Sequence, residues 1–196
     1  MGLTIRYSGK FREDVVLPDL IEEVVDVAKA HGWDYSIFEK KFDPEMFGKD
    51  CVDMKLYGIC FSPPKCEPVC FTFRSNGRMC CIDPLSDTNN VEEDKEYLYT
   101  IFTKTQYAGF EVHKIIIRLF RHLSEKYLAD FRMHDESEYW EYNDELKSNE
   151  AFTRFDGLMN QFAESLKRFS MAENESVEEY VNRIATLIKD KENKKK

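Results

Sequence analysis

Residues 69–83 read VCFTFRSNGRMCCID, and this stretch carries the strongest local signal of the fold. An apolar run with two phenylalanines precedes Asn76 and Gly77, and a run with two cysteines follows them. An Asn-Gly pair between two such runs is typical of a β-hairpin with a two-residue turn. That turn would place Phe73 opposite Cys80, and the register decides which side chains share a face of the sheet. We therefore expect an antiparallel hairpin at this point of the chain.

Further β-rich and helix-periodic runs lie on both sides of the hairpin. Alternating or β-rich composition predicts strands at 3–7, 33–42, 56–62, 69–75, 78–83, 97–105, 129–134 and 138–142. Apolar residues at helical spacing predict helices at 18–31 and 110–128 and a helical pair from residue 144 onward. Pro18 suits the first turn of the first helix, and Gly32 suits the position after its last turn.

These elements predict an α+β protein. We expect a mostly antiparallel, twisted sheet of about six to eight strands with helices packed on one face. The sheet domain would cover residues 1–143, and a C-terminal helical pair would cover 144–190 and pack on the same domain. A capping box of Ser176 and Glu179 should begin the last helix. Residues 191–196 read as a frayed, charged tail.

Composition excludes several classes of protein. The chain has 196 residues, a net charge of −9 and 14% aromatic residues, so it can bury a sizeable core and is not a disordered protein. No apolar run approaches the roughly 20 residues that a membrane-spanning helix needs. Net negative charge with no basic face to compensate it disfavours nucleic acid as a partner. The sequence also contains no phosphate-binding loop, dinucleotide-binding loop or nucleophile elbow.

Six cysteines without a recognisable signal peptide favour reduced thiols and a cytoplasmic location. If the runs 56–62 and 69–75 pair, Cys60 falls beside Cys70, and Cys66 and Cys81 would lie near them. The gaps of six, four and eleven residues along these four cysteines match no standard zinc motif. We therefore expect structural cysteines, with no metal and no cofactor.

The segment 135–145, DESEYWEYNDE, is the most unusual in the chain: it has six acids, three aromatics and no basic residue. Such acids repel one another, whereas a basic partner would relieve the repulsion and the aromatics would add contact area. The candidate partner-binding residues are Asp135, Glu136, Glu138, Tyr139, Trp140, Glu141 and Tyr142. The competing interpretation is a surface turn whose aromatics face the core.

The sequence thus favours a non-catalytic cytoplasmic interaction module that binds a basic protein, in the manner of an immunity protein or antitoxin. One alternative is a small metal-dependent hydrolase or nuclease centred on His134 with Asp135, Glu136 and Glu138. Another is a small-molecule-binding domain that uses a cleft between sheet and helices. No catalytic residue is predicted for the favoured interpretation.

Overall fold

The computed structural model describes residues 3–49, 53, 55–82, 99–172 and 174–193, with side chains as far as Ile188. The elements are β1 (Thr4–Phe11), α1 (Leu17–His31), β2 (Asp34–Ile37), β3 (Tyr57–Ser62), β4 (Val69–Phe73), β5 (Ile101–Lys104), α2 (Phe110–Tyr127), β6 (Leu128–Asp135), α3 (Tyr139–Tyr142), α4 (Glu145–Arg168) and α5 (Val177–Asn193). The predicted α+β class is confirmed. The chain forms two compact units, Met1–Ser148 and Asn149–Lys196.

Among the described residues of the first unit, the strands form two antiparallel sheets of three strands each. The first sheet has the order β5-β1-β6, and the second has the order β2-β3-β4. The prediction of one sheet of about six to eight strands is therefore wrong. The physical reason lies in the turn after β4, where the predicted hairpin does not form as expected.

The turn after β4 has three residues rather than two. The amide of Arg74 donates to the carbonyl of Arg78 over 2.9 Å, which closes a loop of residues 75–77. Gly77 takes a φ of +80°, as the last residue of a three-residue hairpin loop usually does. The Asn76 side chain accepts a hydrogen bond from the amide of Arg78 (3.0 Å) and so stabilises this longer loop.

The extra loop residue shifts the register by one. Phe73 pairs with Met79 instead of Cys80, and only isolated bridges form beyond the turn, so the strand predicted at 78–83 is absent from the residues that the structure describes. The chain turns instead to β1, where the amide of Met79 donates to the carbonyl of Gly9 (2.9 Å). This segment therefore joins the two sheets and does not extend the second one.

Other predicted elements agree with the structure to different degrees. Helices α1 and α2 lie where predicted, and Gly32 ends α1 in the left-handed conformation. The strand predicted at 33–42 shortens to β2, and the strand predicted at 97–105 is described only from residue 99 and contributes β5. The polar loop predicted at 84–96 lies outside the described residues.

The core of the first unit is aromatic. Ring pairs connect Tyr7 with Phe120 (4.5 Å between centroids), Phe71 with Phe120 (4.6 Å) and Phe11 with Phe73 (5.4 Å). The residues therefore join β1, β4 and α2 in one cluster. Helix α1 packs on the second sheet, and its Glu23 accepts a hydrogen bond from the Tyr127 hydroxyl (2.7 Å) at the end of α2.

The second unit contains most of α4 and all of α5. The predicted capping box begins α5: the amide of Ser176 donates to Glu179 Oε2 (2.8 Å), and the amide of Glu179 donates to Ser176 Oγ (3.2 Å). Helix α5 continues to Asn193, so the predicted tail at 191–196 is partly helical and its last three residues lie outside the described part. None of the described helices combines the length and the hydropathy that crossing a bilayer requires.

Candidate ligand-binding cleft

Strand β1 has one buried face and one open face. Tyr7 packs its ring on Phe120 of α2, so the alternate side chains of Arg6, Ser8 and Lys10 point away from the helix. Paired residues of neighbouring strands share a face, and Ser8 is paired with Arg132 of β6. The open face of the first sheet therefore gathers basic side chains from separate strands.

A β-bulge in β6 shapes this face. Ser8 pairs with Arg132 but Lys10 pairs with Ala129, so two residues of β6 lie opposite the single residue Gly9. Asp130 is one of them and takes a φ of +50°, a left-handed conformation that Asp tolerates better than most residues. Gly9 lets the bulge approach, because a Cβ there would lie 3.2 Å from Phe131.

The three-residue turn after β4 adds a cation to the same face. A β-bridge places Arg78 beside Lys10. The Arg78 guanidinium lies over the ring of Tyr99, with 3.9 Å between Cζ and the ring centroid. Stacking on an aromatic ring fixes the plane of a guanidinium and leaves its N–H groups directed outward, the arrangement that recognises planar or tetrahedral anions.

These features border a cleft of about 610 Å³, within the usual range of small-ligand sites. Four cations line it, together with one carboxylate: Lys10, Lys49, Arg78, Arg132 and Asp130. Within the described part of the chain, none of these five side chains forms an ion pair. Among the residues that the structure describes, the side chains lining the cleft thus carry a net charge of +3, in a protein whose net charge is −9.

Unpaired cations in one concave site favour an anionic ligand, since each cation repels the others until a negative group lies between them. Arg supplies directed pairs of hydrogen bonds to phosphate oxygens, and Lys supplies a mobile point charge. Asp130 adds a hydrogen-bond acceptor that the cations lack. The arrangement is therefore suited to a phosphate group attached to a part that carries hydroxyl groups.

The predicted partner-binding segment has a different character. Asp135 is 1% exposed, and its carboxylate lies 3.0 Å from Nε2 of His113, which is equally buried. The amides of Ser137 (2.8 Å) and Trp140 (3.1 Å) also donate to Asp135. Burial alone would raise the pKa of Asp135, but His113 and these amides outweigh it and hold that pKa below its usual value. Asp135 is therefore a buried carboxylate that connects His113 of α2 to the backbone amides of Ser137 and Trp140.

The remaining acids of the segment also have polar partners. Glu136 accepts from the amide of Thr4 (2.9 Å), and Glu138 pairs with Lys147. Glu141 accepts from the amide of Asp135 (3.0 Å). Asp144 accepts from the amide of Lys147 (3.0 Å), and Glu145 pairs with Lys114 (3.3 Å) and Arg118 (2.9 Å). Lysine and arginine side chains thus supply counter-charge to Glu138 and Glu145, and backbone amides satisfy the other three carboxylates.

The aromatic residues of the segment are placed unequally. The strand predicted at 138–142 is wrong: Tyr139–Tyr142 form the short helix α3, because Asp135 accepts hydrogen bonds from the amide of Ser137 before the helix and from that of Trp140 in its first turn. Tyr139 is buried, Trp140 is half-buried against Phe131, and Tyr142 is 67% exposed. Only part of the predicted surface is therefore accessible to a partner.

The predicted metal constellation at His134 is not assembled. His134 is exposed on the open face of β6 and lies 3.4 Å from Glu141, whereas Asp135 points to the opposite, buried side. In the described ranges, no group of three or more His, Cys, Asp or Glu residues is placed to hold a metal ion. Among the cysteines, Cys60 and Cys70 meet as predicted, and Cys66 instead lies 3.6 Å from the Lys104 carbonyl.

Sequence reasoning did not find the cleft. The alternation of Arg6, Ser8 and Lys10 with buried residues identifies a polar face of β1, but it does not show that Arg132 lies beside that face. The premise that no face gathers basic charge is wrong for the first sheet. No protein family, curated protein or solved structure that was compared with the chain matches it.

Proposed function

We propose that this protein is a small-molecule-binding domain that takes a phosphate ester of a sugar, free or as part of a nucleotide, in the basic cleft. The observation that carries the proposal is the convergence of Lys10, Lys49, Arg78 and Arg132, which form no ion pair among the described residues. A phosphate monoester carries close to two negative charges at neutral pH and would offset most of the excess charge.

The cleft favours a compact ligand over a nucleic-acid strand. Its volume of about 610 Å³ is that of a bounded site, and the acidic remainder of the protein would repel a long polyanion. The stacked Arg78 and the Arg132 beside the bulge are suited to the phosphate oxygens. Asp130, the one carboxylate among the described lining residues, is suited to accept a hydrogen bond from a sugar hydroxyl.

The test is calorimetric titration with adenosine 5′-monophosphate, ribose 5-phosphate, inorganic phosphate and adenosine. The two phosphate esters should bind with one site per chain, inorganic phosphate should bind more weakly, and adenosine should not bind. Equal affinity for both esters would show that the sugar phosphate is recognised, and a preference for the nucleotide would show that the base is recognised too. Failure of both esters to bind would overturn the proposal.

Variants locate the binding. Arg78→Ala and Arg132→Ala should each weaken binding of the esters by about tenfold or more, since a hydrogen bond to a charged group contributes about 1.5–3 kcal/mol. Arg118→Ala is the matched control, because Arg118 is an exposed arginine that pairs with Glu145. An equal loss in this control would place the ligand elsewhere.

Two further experiments test which class of ligand the cleft binds. Asp130→Asn keeps a residue that tolerates the left-handed conformation, and it should reduce the preference for the esters over inorganic phosphate. A single-stranded oligonucleotide should bind no more tightly than the mononucleotide. Affinity that rises with oligonucleotide length would indicate a nucleic-acid-binding protein instead.

The interaction module predicted from the sequence remains a second proposal, now confined to the exposed end of the segment. Tyr142 is 67% exposed, and tyrosine is enriched among the residues that contribute most to binding at protein interfaces. A basic protein retained from a native lysate by the wild type should be lost by Tyr142→Ala. Tyr107→Ala is the matched control, because Tyr107 is another exposed tyrosine. Equal retention by both variants would contradict this proposal.

A further inference from the structure

A pair of buried thiols lies at the centre of the second sheet. Cys60 of β3 is directly opposite Cys70 of β4, and their sulfur atoms are 3.4 Å apart. The two residues are 5% and 4% exposed. Neither sulfur has a role in the cleft, so the pair is independent of the proposed ligand.

The backbone shows which kind of cross-strand pair this is. The amide of Cys70 donates to the Tyr7 hydroxyl (3.0 Å) and therefore points away from β3. Gly58, two residues before Cys60, likewise exchanges its backbone hydrogen bonds with Phe38 and Glu39 on the far side. Cys60 and Cys70 thus form a non-hydrogen-bonded pair, in which Cα atoms lie about 4.5 Å apart and side chains are closest.

We propose that Cys60 and Cys70 are a redox modification site, at which a peroxide closes a disulfide bond between β3 and β4. The Cα separation of such a pair is inside the range of about 4.4–6.8 Å that disulfides span. The sulfur atoms must approach from 3.4 Å to about 2.05 Å, which side-chain rotation within the strands can supply.

The chemistry has two steps. The Cys60 thiolate attacks one oxygen of hydrogen peroxide, the O–O bond breaks, and Cys60 sulfenic acid forms as hydroxide leaves. The hydroxide takes up the proton that Cys60 released on ionisation and becomes the first water. The Cys70 sulfur then attacks the Cys60 sulfur, the S–O bond breaks, and the Cys70 proton leaves with the hydroxyl as a second water. Two thiols and one peroxide therefore give one disulfide and two waters.

The surroundings favour Cys60 as the sulfur that reacts first. The Cys70 thiol donates to Cys60, and this hydrogen bond lowers the pKa of Cys60 although burial opposes it. The other thiols with a shifted pKa change in the opposite direction: burial raises the pKa of Cys66 and of Cys80 to about 12. Thiolate character decides which cysteine reacts with peroxide, so these two serve as internal controls.

The test treats the folded full-length protein with hydrogen peroxide, blocks remaining thiols with N-ethylmaleimide under denaturing conditions, and digests with trypsin. The thiol count should fall by two per chain. Peptides 56–65 and 66–74 should be found linked, about 2 Da lighter than their sum, with the maleimide on Cys66. Dithiothreitol should release the two peptides.

Variants make the assignment unambiguous. Cys66→Ser should still lose two thiols and give the linked peptides, whereas Cys60→Ser and Cys70→Ser should not. Should either of the latter fail to fold, fragmentation of the wild-type linked peptide still decides which sulfurs are joined. Unchanged thiol counts after peroxide, a link through Cys66, Cys80 or Cys81, or oxidation of Cys60 to sulfonic acid without a link would each overturn the proposal.

Discussion

The acidic segment 135–145 and the basic cleft carry opposite charge, and they differ in whether that charge has partners within the protein. Every acid of the segment has a partner within the protein, from buried His113 at Asp135 to Lys114 and Arg118 at Glu145. The four cations of the cleft form no ion pair among the described residues. The segment is conspicuous in sequence because its charges are neighbours, and the cleft is inconspicuous because its charges come from separate strands and loops.

The difference shows that a cluster of charge along a sequence is weak evidence for a binding site. Charges that fold against counter-charges stabilise the protein, whereas charges held together without counter-charges are maintained at a cost to stability. Removing charge should therefore have opposite consequences in the two regions.

Asp135→Ala should have the largest effect on stability. It leaves buried His113 without its carboxylate and removes the acceptor of the Ser137 and Trp140 amides. Each buried group that loses its hydrogen-bond partner costs about 1–3 kcal/mol of stability, and this variant removes the acceptor of three such groups. Urea denaturation followed by circular dichroism measures the loss. Glu111→Gln is the control, because Glu111 is an exposed acid that pairs with Lys114 at the surface. An equal loss of stability in both variants would show that the buried hydrogen bonds of Asp135 contribute no more than an exposed ion pair.

Acid should remove part of the same stabilisation. The folded-state pKa of Asp135 is lowered, so its contribution is complete above the unfolded-state pKa of about 3.9 and is lost as pH falls through the folded-state pKa. Asp135→Asn removes this titration. The difference in free energy of unfolding between wild type and variant should therefore narrow as pH falls from 5 to 2. A difference that stays constant over this range would contradict the prediction.

Glu145→Gln should have a smaller effect. Glu145 pairs with Lys114 and Arg118 at the surface, and exposed ion pairs contribute up to about 1 kcal/mol. The free energy of unfolding should fall by less than about 1 kcal/mol, and the loss should shrink at 1 M salt because the pairs are screened. A loss that is unaffected by salt would show that Glu145 acts through packing.

Lys10→Gln should have the smallest effect on stability and the opposite tendency. It removes one of four mutually repelling cations, so the free energy of unfolding should stay within about 0.5 kcal/mol of wild type or rise slightly. The same variant should weaken binding of adenosine 5′-monophosphate. A loss of stability as large as that of Asp135→Ala would show that Lys10 has a structural partner, and it would remove the contrast between the two regions.

The sequence predicts local elements better than it predicts how they combine. The stripe that ends at Gly32 and the capping box at Ser176 are local signals, and both helices form. The Asn76-Gly77 turn is also local, but its length depends on Gly77 and Met79 bonding to β1, a contact about 70 residues away in sequence. Because of that contact, the chain after the turn bonds to β1 of the first sheet and does not add a strand to the second sheet.

The candidate site likewise depends on contacts between residues that are far apart in the sequence. The cleft needs Lys10 of β1, Arg78 of the turn and Arg132 of β6 together, and neither spacing nor composition relates these positions. The predicted pairing of Cys60 with Cys70 is confirmed, because the two strands follow one another in the chain and large apolar residues alternate with small or polar residues along both. In contrast, only the tertiary structure shows that charged residues far apart in the sequence lie close together.

Gly58 has a consequence for how this chain can diverge during evolution. A Cβ at this position would lie 2.1 Å from the carbonyl oxygen of Phe71, and its φ is +107°. No side chain fits such a contact without moving the strand, so every descendant that keeps β3 beside β4 in this register must keep glycine here. The cations of the cleft are under no such steric constraint. An alignment that retains this glycine while the cations vary would trace a lineage that kept its scaffold and exchanged its ligand.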